Sequence, residues 1–163
     1  MRILGICGSL QKNSGNLALL TSAVANAPAG VEVRLYDGLR DLPHFDPDLD
    51  REPAPVAVAE LRRQVSASDA LLIAMPEYGH SLPGSLKNGI DWLIGSGELE
   101  SKCVAITSAV PAAERGRLGL RALSDTLGAV RAKLVWSEPI VRGPGLERDV
   151  AELLRRLAAA LHG

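Results

Sequence analysis

Apolar positions along the chain fall into two alternating patterns. Short, nearly continuous apolar runs recur near residues 2–8, 31–36, 70–76, 102–108 and 132–137. Their length and their bounding turn residues suit strands buried on both faces. Between them, near residues 15–27, 55–67, 84–95, 115–128 and 146–161, apolar residues return every three or four positions, as on an amphipathic helix. The last stretch is the clearest, with Val150, Leu153, Leu154, Leu157 and Leu161 along one face. Strands that alternate with helices predict an α/β fold, a parallel five-stranded sheet with helices on both faces. Five such strands favour the order 2-1-3-4-5, with a switch point between the first and third. Residues 1–163 read as a single domain, without internal repeat or low-complexity tract.

Two of the connections carry chemistry. After the first strand pattern the chain breaks into Gly8-Ser9-Leu10-Gln11-Lys12-Asn13-Ser14-Gly15-Asn16 before helical spacing resumes at Leu17, Leu20 and Val24. Ser9, Ser14 and Asn16 offer side-chain donors, and Gly8 and Gly15 let the backbone approach a ligand. The helix behind adds unpaired N–H groups and the positive end of its dipole. No Gly-Lys-Ser/Thr closes this loop and no Gly-x-Gly-x-x-Gly occurs in it, so it reads as a receptacle for a monophosphate built mainly from neutral donors. After the third strand pattern comes Pro76-Glu77-Tyr78-Gly79-His80-Ser81-Leu82-Pro83-Gly84, then a helix marked by Leu86, Ile90, Leu93 and Ile94. Pro83 suits an early helical position, where no donor is needed. In the order 2-1-3-4-5 these two loops flank one crevice at the switch point, where open α/β sheets place their ligands.

With these residues the chain resembles the NADPH-dependent FMN reductase family, the flavodoxin-like quinone, azo and flavin reductases. Gly8-Ser9-Leu10-x-x-x-Ser14-x-Asn16 is similar to the family's flavin-phosphate loop. Pro76-Glu77-Tyr78 through Ser81, with Leu86-Lys87-Asn88 and Ile90-Asp91-Trp92, is similar to its isoalloxazine loop and following helix. The resemblance implies a flavodoxin-like fold, bound FMN, and NADPH or NADH as electron donor. The acceptor would be a small molecule: a quinone, an azo or metal-oxyanion compound, or free flavin. It further implies that Ser9, Gln11, Ser14 and Asn16 hold the phosphate and ribityl end. Pro76, Glu77, Tyr78, Gly79, His80 and Ser81 would lie along the ring, mainly through backbone, and Ser108 would close the far side. The cofactor carries the chemistry, so no side chain is assigned as catalytic acid or base. A homodimer or homotetramer is implied, its interface built on the helix that carries Trp92. Gln11 stands where many members have arginine, Gly79 where asparagine is usual, and Ala112-Ala113 where a glycine pair is common. These departures leave a second class open, a flavin-binding or interaction protein without efficient turnover.

Composition narrows the remaining possibilities. The formal net charge of −1 gives no electrostatic reason to expect nucleic acid or an anionic membrane as partner. No apolar run approaches the ~20 residues of a membrane span, and Met1-Arg2-Ile3-Leu4-Gly5 enters a strand pattern directly, so a cytoplasmic location is expected. Cys7 and Cys103 lie in separate strand patterns and read as free buried thiols. The run Asp46, Asp48, Asp50 and Glu52, with His44 ahead of it, lacks the ligand order of a calcium loop and reads as a solvated turn rather than a metal site. The whole Gly38–Pro55 connection could edge the site, meet a second subunit or simply face solvent. Lys87 and Asp91 are spaced to pair on one helix face. Arg115, Arg117 and Arg121 open the fourth helix as a solvated face or as an attractor for the extra phosphate of NADPH. Ser9 has no nucleophile elbow, and neither Cys-x-x-Cys nor His-Glu-x-x-His occurs, so hydrolytic, dithiol and zinc chemistry lack their groups.

Overall fold

A computed structural model describes residues 1–162. In chain order the elements are β1 (Arg2–Cys7), α1 (Gly15–Ala25), β2 (Glu32–Tyr36), α2 (Val56–Ala67), β3 (Ala70–Ala74), α3 (Gly84–Ile94), β4 (Cys103–Thr107), β5 (Ala109–Val110), α4 (Arg117–Ala129), β6 (Lys133–Ser137), β7 (Ile140–Val141) and α5 (Leu146–His162). The main sheet is parallel throughout, in the order β2-β1-β3-β4-β6. Because the two-residue β5 pairs only with β7, outside this sheet, β6 is the fifth long strand and the expected order holds.

The alternation of side chains along buried strands builds two cores. Leu4, Ile6, Leu71, Ile73, Val104 and Ile106 face α2, α3 and α4, against Leu61, Leu86, Ile90 and Leu123. Ile3, Ala70, Leu72, Ala74 and Ala105 face α1 and α5, against Leu19, Leu20, Leu153 and Leu157. Every residue of β3 and β4 is buried, which is why these strands read as unbroken apolar runs. The smaller alanines all lie on the α1/α5 side, where those two helices approach the sheet.

Several expectations need correction. Trp92 does not belong to an outer interface: it is fully buried within this chain, with its ring edge-on to Phe45 at 5.1 Å. The Gly38–Pro55 connection is responsible: its first half, through Phe45, packs on the protein, while residues 46–53 other than Asp50 are exposed. After a 3-10 turn at Gly38–Asp41 it lies across α3. There Pro43 O accepts from both Trp92 Nε1 and Asn88 Nδ2 at 2.9 Å, and Asn88 Oδ1 accepts from Phe45 N at 2.7 Å. One member of the acidic run, Asp50, is likewise no solvated carboxylate, because Arg62 binds it at 2.6 Å while also donating to Trp92 O. Pro83 stands just ahead of α3 rather than inside it, and Arg115 precedes α4.

Among the described residues, no helix is long and apolar enough to cross a membrane, and no group of three or more His, Cys, Asp or Glu side chains is placed to hold a metal ion.

Candidate functional site

The loop after β1 begins where the strand order reverses, between β1 and β3. Gly8 N donates to Ala74 O at 2.9 Å, and a Cβ at Gly8 would lie 2.7 Å from Met75 Cβ, so only glycine fits between these strand ends. The loop ends in the cap of α1: Ser14, in extended conformation, accepts from Asn16 N through its hydroxyl at 3.2 Å. Ser9 Oγ accepts from Gln11 N, and the 3-10 turn braces the loop from outside, Arg40 Nη2 donating to Leu10 O at 2.7 Å. Beneath the loop lies the half-buried Cys7, whose thiol is pushed up by burial, with Ser9 and Ser14 pulling weakly the other way.

The loop after β3 is a two-residue hairpin. Tyr78 and Ser81 exchange both backbone hydrogen bonds at 3.0 Å, and the two residues between them, Gly79 and His80, have φ of +56° and +61°. Positive φ at both central positions is the type I′ arrangement. Asparagine and glycine are the residues that adopt it most readily, so Gly79 preserves the backbone that an asparagine would give. Glu77 contributes its side chain elsewhere: Oε2 accepts from Gly119 N at 2.9 Å, in the first turn of α4. A carboxylate there satisfies an otherwise unpaired amide and meets the positive end of the helix dipole. Gly119 makes the approach possible, since a Cβ would lie 3.1 Å from Glu77 Cβ and Cγ.

A third loop, residues 111–116, follows β5 and closes the site from the side of α4. Gly116, with φ of +79°, turns the chain into α4 against the buried Ser108. Arg117 is held by Glu138 at 3.1 Å and by Ala113 O at 3.0 Å. Across the top, Asn16 Oδ1 accepts from Ala109 N at 2.8 Å and so ties the start of α1 to β5.

The start of α1 at Asn16, the hairpin and the 108–118 wall border a cavity of 460 Å³ at the C-terminal ends of β3 and β4. Asn16, Pro76, Glu77, His80 and Ser108 line it, all singled out from sequence. Ser9, Gln11 and Ser14, in the loop ahead of Asn16, are not among the lining residues, nor are Tyr78, Gly79 and Ser81 of the hairpin. The wall from Ala109 to Leu118 was less apparent in the sequence. Only Ser108, the alanine pair and the arginines pointed to it, and the turn at Gly116 that shapes it was missed. The volume lies within the usual range for a small-molecule or cofactor site. The combination of a capped helix N-terminus, a backbone hairpin and a mixed polar and apolar wall suits a ligand with an anionic end and a flat body.

The model of the NADPH-dependent FMN reductase family matches residues 1–142. An NAD(P)H-dependent FMN reductase of Pseudomonas aeruginosa is 39% identical over 119 residues, covering 73% of this chain and 63% of that protein. A quinone reductase of Escherichia coli is 37% identical over 94 residues, covering 57% of this chain and 50% of its own length. The chain therefore spans between half and two thirds of these curated relatives. Among solved structures, the flavoenzyme NAD(P)H:(acceptor) oxidoreductase FerB of Paracoccus denitrificans shares the fold, with a TM-score of 0.77 at 24% identity over 97% of each chain. With the strand order, both loop motifs and a match across most of its length in agreement, the chain belongs to the NADPH-dependent FMN reductase family.

Proposed function

We propose that this chain, as a single domain, is an FMN-dependent NAD(P)H oxidoreductase that reduces a small acceptor: a quinone, an azo or metal-oxyanion compound, or free flavin. The observation that carries the reading is the 460 Å³ cavity beside the capped end of α1. The residues present fit a flavin mononucleotide. The first turn of α1, with Ser9, Gln11 and Ser14, offers neutral donors suited to a phosphate. The Pro76–Ser81 hairpin offers backbone to the edge of a flat ring, and Val110 and Leu118 give it apolar wall.

When bound, FMN supplies the chemistry, hydride uptake from the nicotinamide and release to the acceptor. The chain's part is to hold and orient. Asn16 fixes the phosphate end relative to the cavity through its bond to Ala109. Glu77, engaged with Gly119, locks the hairpin to α4 and is not free to move a proton. Arg115 lines the cavity and forms no ion pair among the described residues, which supports it as the contact for an anionic nicotinamide nucleotide. Beside the cavity, Tyr78 is 56% exposed and Leu118 49% exposed, apolar surface that supports assembly as a homodimer or homotetramer. Dependence on NAD(P)H and two free thiols support a cytoplasmic setting.

The test is a visible absorbance titration of the purified protein with FMN and then, without oxygen, with NADPH. The expected result is a bound-flavin spectrum that bleaches with NADPH and recovers when a quinone is added. Absence of FMN binding would refute the reading, and binding without bleaching would favour the interaction protein.

A further inference from the structure

We infer that Arg142 supplies the positive charge that holds the flavin phosphate, reaching across from β7 to the first turn of α1. The inference rests on the FMN reading above. Between Gly8 and Asn16 the loop carries one cation, the exposed Lys12, and Gln11 is neutral. A helix N-terminus contributes only about half a charge, while a phosphate monoester carries about −1.5 to −2 at neutral pH. A cation from another element would offset more of that charge.

The small β5–β7 ladder supplies one. Asn16 Oδ1 accepts from Ala109 N at 2.8 Å, which binds the start of α1 to β5. Ile140 N donates to Ser108 O at 2.9 Å and Arg142 N to Val110 O at 2.8 Å, so β7 runs alongside and delivers Arg142 at the far end. Its side chain then lies against the first residue of α1. A Cβ at Gly15 would be 3.2 Å from Arg142 Cδ and 3.7 Å from Nη1. Glycine at that position leaves the space the arginine occupies.

The electrostatics call for an anion. A cation beside a helix N-terminus opposes the dipole, since cations are favoured at the other end. Arg142 is exposed and forms no salt bridge among the described residues, so no protein carboxylate offsets that cost. Arg40, the other guanidinium at this loop, is engaged by Leu10 O and serves as a brace. A phosphate seated on the α1 amides would satisfy helix end and guanidinium together, and arginine's planar fork suits two phosphate oxygens.

The test measures binding by quenching of flavin fluorescence, with FMN and with riboflavin, on flavin-free protein. Arg142→Gln is expected to weaken FMN about 10- to 100-fold, the range of a hydrogen bond to a charged group. Riboflavin, which lacks the phosphate, should change by less than about twofold on the same scale. Arg142→Lys should fall between, and Gln11→Arg added to Arg142→Gln should restore much of the loss and its salt dependence. Because the side chain is exposed and its charge opposes the α1 dipole, far-UV circular dichroism should match the parent, and the thermal midpoint of the flavin-free protein should match or slightly exceed it. Unchanged FMN affinity in Arg142→Gln, or an equal loss for FMN and riboflavin, would overturn the inference while leaving the FMN reading intact. A parent protein that binds neither ligand would overturn both.

Discussion

Gly79 allows the hairpin to be tested by backbone conformation alone. A Cβ there would meet nothing within 4 Å, so no substitution clashes with a neighbour. What a side chain does meet is a φ of +56°. For an ordinary L-residue this conformation costs about 1–2 kcal/mol. Replacing glycine also reduces the entropy of the unfolded chain, a gain of about 0.4–1 kcal/mol. Gly79→Ala should therefore cost roughly 1 kcal/mol net, and Gly79→Val, stiffer at χ1, roughly 2 kcal/mol. Gly79→Asn should stay within about 0.5 kcal/mol of the parent, because asparagine tolerates the left-handed region. Urea unfolding resolves these differences: with a slope of about 2 kcal/mol/M, each kcal/mol moves the midpoint by about 0.5 M. The corresponding thermal shift is about 2–4 °C. On the proposed FMN reading, affinity for FMN should fall in the same order, since the Tyr78–Ser81 bonds hold the hairpin. The order itself decides the matter. Asparagine is larger than alanine, so a penalty that follows side-chain size, with Asn worse than Ala, would refute the backbone argument. Equal stability of all three would do so too.

Other perturbations follow from the same geometry. Glu77→Ala removes the acceptor of Gly119 N and should cost about 1–2 kcal/mol in urea unfolding, as for a lost helix cap; an unchanged midpoint would mean that the carboxylate does not cap α4. Trp92→Ala should cost about 3–5 kcal/mol, and a loss below about 1 kcal/mol would contradict its burial beneath the Gly38–Pro55 connection. Burial, with Asp41 and Asp37 adding to it, raises the Tyr36 hydroxyl to about 12. A raised folded-state value means stability is fully present below pH ~10, where the unfolded phenol titrates, and is lost as pH climbs toward the folded value. Tyr36→Phe should remove that part of the alkaline decline, and superimposable pH profiles would count against it.

The sheet and the two loop motifs were legible because each is written locally. A strand buried on both faces leaves a continuous apolar run, as Ala70–Ala74 does, and a capped turn leaves Ser14 two residues before Asn16. The strand order followed from five alternations. What escaped depends on contacts between residues far apart in the chain. Trp92 looked like surface because nothing near it reveals Pro43 and Phe45, more than forty positions upstream. Glu77 read as a backbone contact with no assigned side-chain role because its partner, Gly119, is 42 positions away. β5 and β7 are two residues each, too short to show a period, so the cavity wall at β5 and the arginine that follows β7 had no local signature. Gly79 is the opposite case: it looked like a lost side chain, and the backbone makes it an equivalent choice.

The bond between Asn16 and Ala109 spans 93 positions. The order of synthesis gives it a temporal meaning. A chain emerging from the ribosome exposes the α1 cap first and the hairpin some sixty residues later, yet neither can be set against the other until residue 109 and the strands beneath it have arrived. Cofactor capture then belongs to the end of folding, and a chain truncated before that point would carry both recognisable motifs while presenting no place for the ligand to stay.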